Sequence, residues 1–239
     1  MSELDFAGRV VLVTGASRGL GRAVATALAP TGAHLVLTAR TQGALEELDD
    51  EIRAAGHGEP TLAPLDLTDA DAVNGLGAGI MNRFARLDGL VHAAGALGIL
   101  SPVAHIKPAV MTAALELQAG VTHRLIASLD LPLRRSPSGR AVFVTCGHGR
   151  DGRPYWGAFA APRAAAEVLV LSYAAETRKT ALKVNLFDPG PMATRLRREA
   201  YPGEPPDAQP DPAAIAPALL PLLAPTCAAS GERISAAAR

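Results

Sequence analysis

The stretch Thr14-Gly15-Ala16-Ser17-Arg18-Gly19-Leu20-Gly21 decides how the rest of the chain is read. It follows the apolar, β-branched run 9–14 and opens the Ala/Leu-rich segment 20–29. A glycine-rich turn between a strand and a helix is what a phosphate-cradling loop requires. Gly15 permits the tight turn, Gly19 lets the backbone approach a pyrophosphate, and Gly21 allows close helix–strand packing. The helix N-terminus that follows offers free N–H groups and the positive end of its dipole to an anion.

Outward from this turn, short apolar runs recur at 34–39, 61–65, 89–93, 141–145 and 183–187. They lack strict polar alternation, as strands buried on both faces of a parallel sheet do. Longer helical segments separate them at 43–55, 70–85, 109–131 and 157–178. The alternation predicts an α/β chain with a Rossmann-type, three-layer, doubly wound parallel sheet, and one dinucleotide-binding domain over residues 1–239. The Pro-rich stretch 202–212 reads as a surface loop.

Composition narrows the function classes. The 239 residues carry a formal net charge of zero, which argues against a general nucleic-acid binder. Two cysteines, Cys146 and Cys227, make no disulfide framework and no zinc-ligand spacing, so no metal site is expected. The opening MSELDFAGRV has neither a basic nor a long apolar segment, and the apolar stretch 213–229 is broken by three prolines. A cytoplasmic protein with no membrane span is the expectation.

The spacing Thr-Gly-x-x-x-Gly-x-Gly resembles that of the short-chain dehydrogenase/reductase family, and the likeness extends along nearly the whole chain. Asp66-Leu67 looks like the family's adenine-contacting segment. His92-Ala93-Ala94-Gly95 looks like its Asn-Asn-Ala-Gly turn with both asparagines lost. Pro189-Gly190-Pro191-Met192-Ala193-Thr194 resembles the Pro-Gly-x-x-x-Thr segment around the nicotinamide amide, and Asn185 fits the same pattern. The resemblance implies a nicotinamide dinucleotide held by Gly15, Ser17, Arg18, Gly19, Leu20, Gly21, Arg40, Asp66, Leu67, Ala93, Ala94, Gly95, Arg163, Pro189, Gly190, Met192 and Thr194. A carboxylate after the second strand would favour NAD(H), but Ala39-Arg40 stands there and Arg18 lies in the turn. Two guanidiniums suit a 2′-phosphate, so NADP(H) is expected over NAD(H).

The family's catalytic group resembles Asn-Ser-Tyr-Lys, in which a tyrosine passes a proton and a lysine one helical turn on assists it. On the Gly-Ala-x-Ala-Ala pattern, Phe159 falls at the tyrosine position and Arg163 at the lysine position; Cys146 falls at the serine and Gln118 at the asparagine. Phe159 has no proton to give, and Arg163 keeps a charge but does not join a proton relay. His148 and Tyr155 are candidate replacement acids, each also readable as a solvated loop or aromatic rim residue. His92 reads as a turn residue held by a hydrogen bond. Two functions follow: an NADP(H)-dependent oxidoreductase on a carbonyl/alcohol pair with atypical proton chemistry, or a non-catalytic NADP(H)-binding pseudoenzyme serving as sensor or partner subunit. The sequence does not identify the small-molecule substrate; the loop after Ile99 and the Pro-rich stretch would shape its pocket. Helices 109–131 and 157–178 resemble those that pair family members into homodimers or homotetramers.

Overall fold

The computed structural model describes residues 4–147 and 151–236. Seven parallel strands form one sheet: β1 Val10–Thr14, β2 His34–Thr38, β3 Thr61–Leu62, β4 Gly89–His92, β5 Arg140–Val144, β6 Lys183–Asp188 and β7 Arg233–Ser235. Their spatial order is β3-β2-β1-β4-β5-β6-β7. The order reverses between β1 and β4, where Thr14 lies opposite His92. A crevice therefore opens at the carboxyl ends of these two strands, the usual ligand position in a doubly wound sheet.

Helices α1 Gly19–Leu28 and α2 Gln42–Ala54 flank one face of the sheet, and α3 Ala70–Phe84, α5 Val121–Arg135 and α6 Gly157–Glu176 the other. The strand period of two sorts the side chains. Val11 and Val13 pack with α1 and α2, whereas Val10 and Leu12 pack with α3 and α5. Both faces are covered, which accounts for the near-continuous apolar runs of the strands.

Three elements differ from the sequence expectation. The third strand is regular only over Thr61–Leu62 rather than to 65, although its backbone bonds to the β2 side continue from Ala63 N to the Leu37 carbonyl at 2.9 Å and from Leu65 N to the Ala39 carbonyl at 3.1 Å. The segment expected at 109–131 begins as α4 Pro108–Leu115, loosens into a π-helical turn at Glu116–Gly120 and continues as α5 through Pro132 to Arg135. Burial of Leu129 and Leu133 on the core holds that last turn despite the lost backbone bond. A seventh strand, β7, was not foreseen; its three residues show no apolar run.

The late Pro/Leu-rich region forms the short α8 Pro212–Ile215 and 3-10 turns at Ala216–Ala218 and Leu220–Leu223. Leu219 and Leu223 are fully buried against the α1 side of the sheet. Among the described residues, no helix is long and apolar enough to cross a membrane.

Candidate functional site

A cleft of about 1180 Å³ opens over the carboxyl ends of β1 and β4. One half is lined by the glycine turn, Arg18, Arg40, Asp66, Leu67 and Ala93–Gly95. The other is lined by Cys146, Trp156, Phe159, Arg163, the segment 188–194 and the short helix α7 Arg195–Ala200. The structure thus brings together the expected binding residues Gly15, Ser17, Gly19, Leu20, Pro189, Gly190, Met192 and Thr194 around one space.

The turn is built for close approach. A Cβ at Gly15, where φ is +70°, would stand 2.8 Å from the Ala94 backbone. No side chain caps α1, so its first N–H groups are left for an anion in the cleft. Thr194 closes over the turn, its methyl group 3.6 Å from where a Gly19 Cβ would lie. The cradle therefore has the glycine geometry and the free donors that a pyrophosphate needs.

Arg18 and Arg40 are exposed along one rim. Asp66 accepts hydrogen bonds from the Thr68 backbone N at 2.9 Å and Oγ1 at 2.8 Å. These bonds, with a smaller contribution from Arg40, hold its carboxyl below the usual range. Asp66 is thus a fixed acceptor near the Arg40 guanidinium.

At the far end stand the positions that the family resemblance links to chemistry. Phe159 is only 4% exposed, with its ring edge-on to Trp156 at 5.4 Å. The Arg163 guanidinium stacks over Phe159, 4.7 Å from the ring centroid. Arg163 is 8% exposed, donates to the Val144 carbonyl at 3.4 Å and has no partner at Nε. It makes no salt bridge among the described residues. Glu167, one helical turn further, instead accepts from Thr145 and from Arg233 at 2.9 Å. Cys146 is half-buried on the cleft wall.

Three expected candidates lie elsewhere. Gln118 sits in the π-helical turn, donates to the Ala96 carbonyl at 3.3 Å and lines a chamber of about 20 Å³ behind the cleft, not the cleft itself. Tyr155 is 58% exposed with φ +73° and does not line the cleft. His148 lies outside the described residues.

His92 lines the same small chamber as Gln118, with Nδ1 2.8 Å from Thr14 Oγ1. Thr14 Oγ1 also accepts from the Ala94 backbone N at 3.3 Å, so His92 secures the turn under the cleft. Burial, and less strongly Arg163, pushes the His92 pKa from 6.5 down to about 4. The unfolded chain takes up this proton below about pH 6.5, whereas the folded protein does so only near pH 4. Stability is therefore full above about pH 6.5, falls by about 3 kcal/mol as the pH drops to about 4, and then levels off as far as this group is concerned. Urea unfolding across that window should be flatter for His92→Asn; an unchanged slope would contradict the assignment.

The sequence reading missed the cleft's outer wall. Trp156 and Phe159 pack with Leu97 and, less buried, with Leu100, Cys146, Leu196 and Tyr201. Tyr201 tilts against Trp156 at 5.8 Å, and Arg197 lies over the Tyr201 ring at 3.7 Å. Arg197 makes a bidentate pair with Glu204 at 2.6 and 2.7 Å, and Gln209 donates to the same carboxylate at 2.7 Å. Arg197, then Gln209, draws the Glu204 carboxyl well below its ordinary range. The Pro-rich stretch, expected to be a loose loop, is thus fastened to α7. One signal was available: Thr194 caps α7, accepting from the Arg197 backbone N at 3.2 Å.

Comparison with known proteins agrees with this geometry. Residues 9–205 match the family described as short chain dehydrogenase. The uncharacterized oxidoreductase YciK of Escherichia coli K12 is 35% identical over 214 residues, covering 89% of this chain and 84% of that protein. A short chain dehydrogenase from Salmonella enterica serovar Typhi superposes with a TM-score of 0.94 at 31% identity, covering 99% of this chain and 98% of the other. A structure from Escherichia coli CFT073, described as a short chain dehydrogenase complexed with NADPH, superposes with a TM-score of 0.92 at 32% identity, covering 98% of each chain. The sheet order, the glycine cradle and these likenesses converge: the chain belongs to the short-chain dehydrogenase family.

Proposed function

We propose that this chain binds NADP(H) in the cleft and acts as an oxidoreductase on a carbonyl/alcohol pair, without the family's usual proton step on α6. The observation that carries the cofactor assignment is the uncapped, glycine-lined start of α1 facing the same space as Arg18 and Arg40. The similar Escherichia coli structure holding NADPH supports it. When bound, the dinucleotide supplies or accepts a hydride at its nicotinamide ring.

The residues of this chain bind and orient. The α1 N–H groups receive the pyrophosphate, Arg40 and Arg18 receive the 2′-phosphate, and the segment 189–194 borders the nicotinamide end. Phe159, Arg163 and Cys146 stand where the family resemblance places Tyr, Lys and Ser. The stacked Phe159–Arg163 pair offers charge and packing there but no transferable proton. That pair also favours a second reading, a cofactor-binding sensor or partner subunit with no turnover.

Trp156, the sole tryptophan, provides the binding signal. NADPH is expected to quench it in the parent chain. In a Tyr201→Phe background, which removes the other tyrosine of the cleft, introducing Phe159→Tyr with Arg163→Lys should raise NADPH-dependent aldehyde reduction by about 100-fold or more, the usual contribution of a positioned acid. Intact binding with no gain would contradict the placement of these two residues.

A further inference from the structure

Resting on the oxidoreductase reading, we propose that Tyr201, carried on the segment that closes the cleft and paired with Arg197, is the proton donor and acceptor for the substrate oxygen. The sequence contains three tyrosines. Tyr155 is exposed and does not line the cleft. Tyr173 is buried in the core, where its hydroxyl donates to Asp130 at 2.8 Å. Tyr201 alone of the three lines the cleft. It packs in the same cluster as Phe159, Trp156 and Cys146, within the wall from which the hydroxyl of α6 is missing.

The pairing with a cation is also supplied from this side. Arg197 lies 3.7 Å from the Tyr201 ring centroid, and its bidentate bond to Glu204 fixes it there. The stacked guanidinium holds the orientation of the Tyr201 ring in the cleft. On α6, a ring and a cation are stacked but the ring has no hydroxyl; on the closing segment, a ring with a hydroxyl is stacked against a cation. Arg197 acts through Tyr201 and is a positioning residue.

The step balances. Bound NADPH would supply a hydride, with its electron pair, for the new C–H bond at the carbonyl carbon. The carbonyl π pair moves to oxygen and takes the proton from the Tyr201 O–H. Tyr201 remains as phenolate beside Arg197 and regains a proton from water. The carbonyl is reduced to the alcohol and NADPH is oxidised to NADP+.

The apolar wall of Leu97, Trp156, Phe159 and Leu196 makes an aromatic aldehyde the suitable probe. With benzaldehyde and NADPH, Tyr201→Phe should lose about 100-fold in kcat, while NADPH quenching of Trp156 keeps the same dissociation constant. Tyr155→Phe should leave both unchanged. Arg197→Lys should retain most of kcat, and Arg197→Met should lose it with KM unaltered. A Tyr201→Phe rate within twofold of the parent would overturn the proposal. A parent chain that binds NADPH but reduces no aldehyde or ketone in a panel of benzaldehyde, cinnamaldehyde, cyclohexanone and diacetyl would also overturn it, leaving cofactor binding intact. Failure to bind NADPH would remove the reading on which it rests.

Discussion

Gly21→Val is expected to abolish dinucleotide binding. A Cβ at Gly21 would lie 2.3 Å from the Gly15 carbonyl oxygen and 2.7 Å from its carbonyl carbon. Those are backbone atoms of the turn itself, so no side-chain rotation relieves the clash. The turn must move away from α1, which separates the two groups that together receive the pyrophosphate. The dissociation constant for NADPH, read from Trp156 fluorescence, should rise by about 100-fold or more, the loss of several charge-assisted bonds at once. Gly43→Ala on α2 is the matched control, because its Cβ would meet nothing within 4 Å. That variant should bind as the parent does; a Gly21→Val chain that does the same would refute the cradle.

Arg140→Ala should cause the largest loss of stability. Arg140 is a buried cation at the start of β5 that donates to four carbonyls: Ala224 at 3.1 Å, Gly139 at 2.8 Å, Ala181 at 3.1 Å and Pro225. Burial depresses its pKa. These bonds tie the turns of the late Pro/Leu-rich region, and the loop before β6, to the sheet's amino end. Truncation leaves the carbonyls buried without a donor and opens a cavity. The expected cost is about 3–5 kcal/mol, a fall of roughly 10 °C in Tm for a chain of this size. Thermal unfolding followed by circular dichroism checks it, and a shift below about 2 °C would contradict the assigned role.

The fold and half of the site were legible in the sequence for a physical reason. Buried parallel strands must be apolar over their whole length, and a backbone–phosphate approach admits little besides glycine, so β1, the turn and α1 announce themselves. The place of Arg40 on the cleft rim was equally legible, because it follows β2 by two residues. Trp156, Arg197 and Tyr201 were not. They meet through tertiary packing between segments about 40 residues apart in sequence, and α7 is a six-residue, charge-rich helix with no periodic apolar face. Tyr155 is the opposite case: closeness in sequence suggested the pocket, but its side chain is exposed and does not line the cleft. Gln118 was placed by counting along the chain, but the π-helical turn at Glu116–Gly120 directs it to the chamber behind the cleft.

On the proposed function, this cleft holds a dinucleotide through its phosphates and selects the 2′-phosphorylated form. The direct measurement is Trp156 quenching by NADPH and by NADH, in the parent chain and in Arg40→Asp. NADPH should bind at least about tenfold more tightly than NADH, the value of one good charge-assisted contact, and Arg40→Asp should reverse the order. Equal affinities in the parent chain, or no quenching by either dinucleotide, would contradict it.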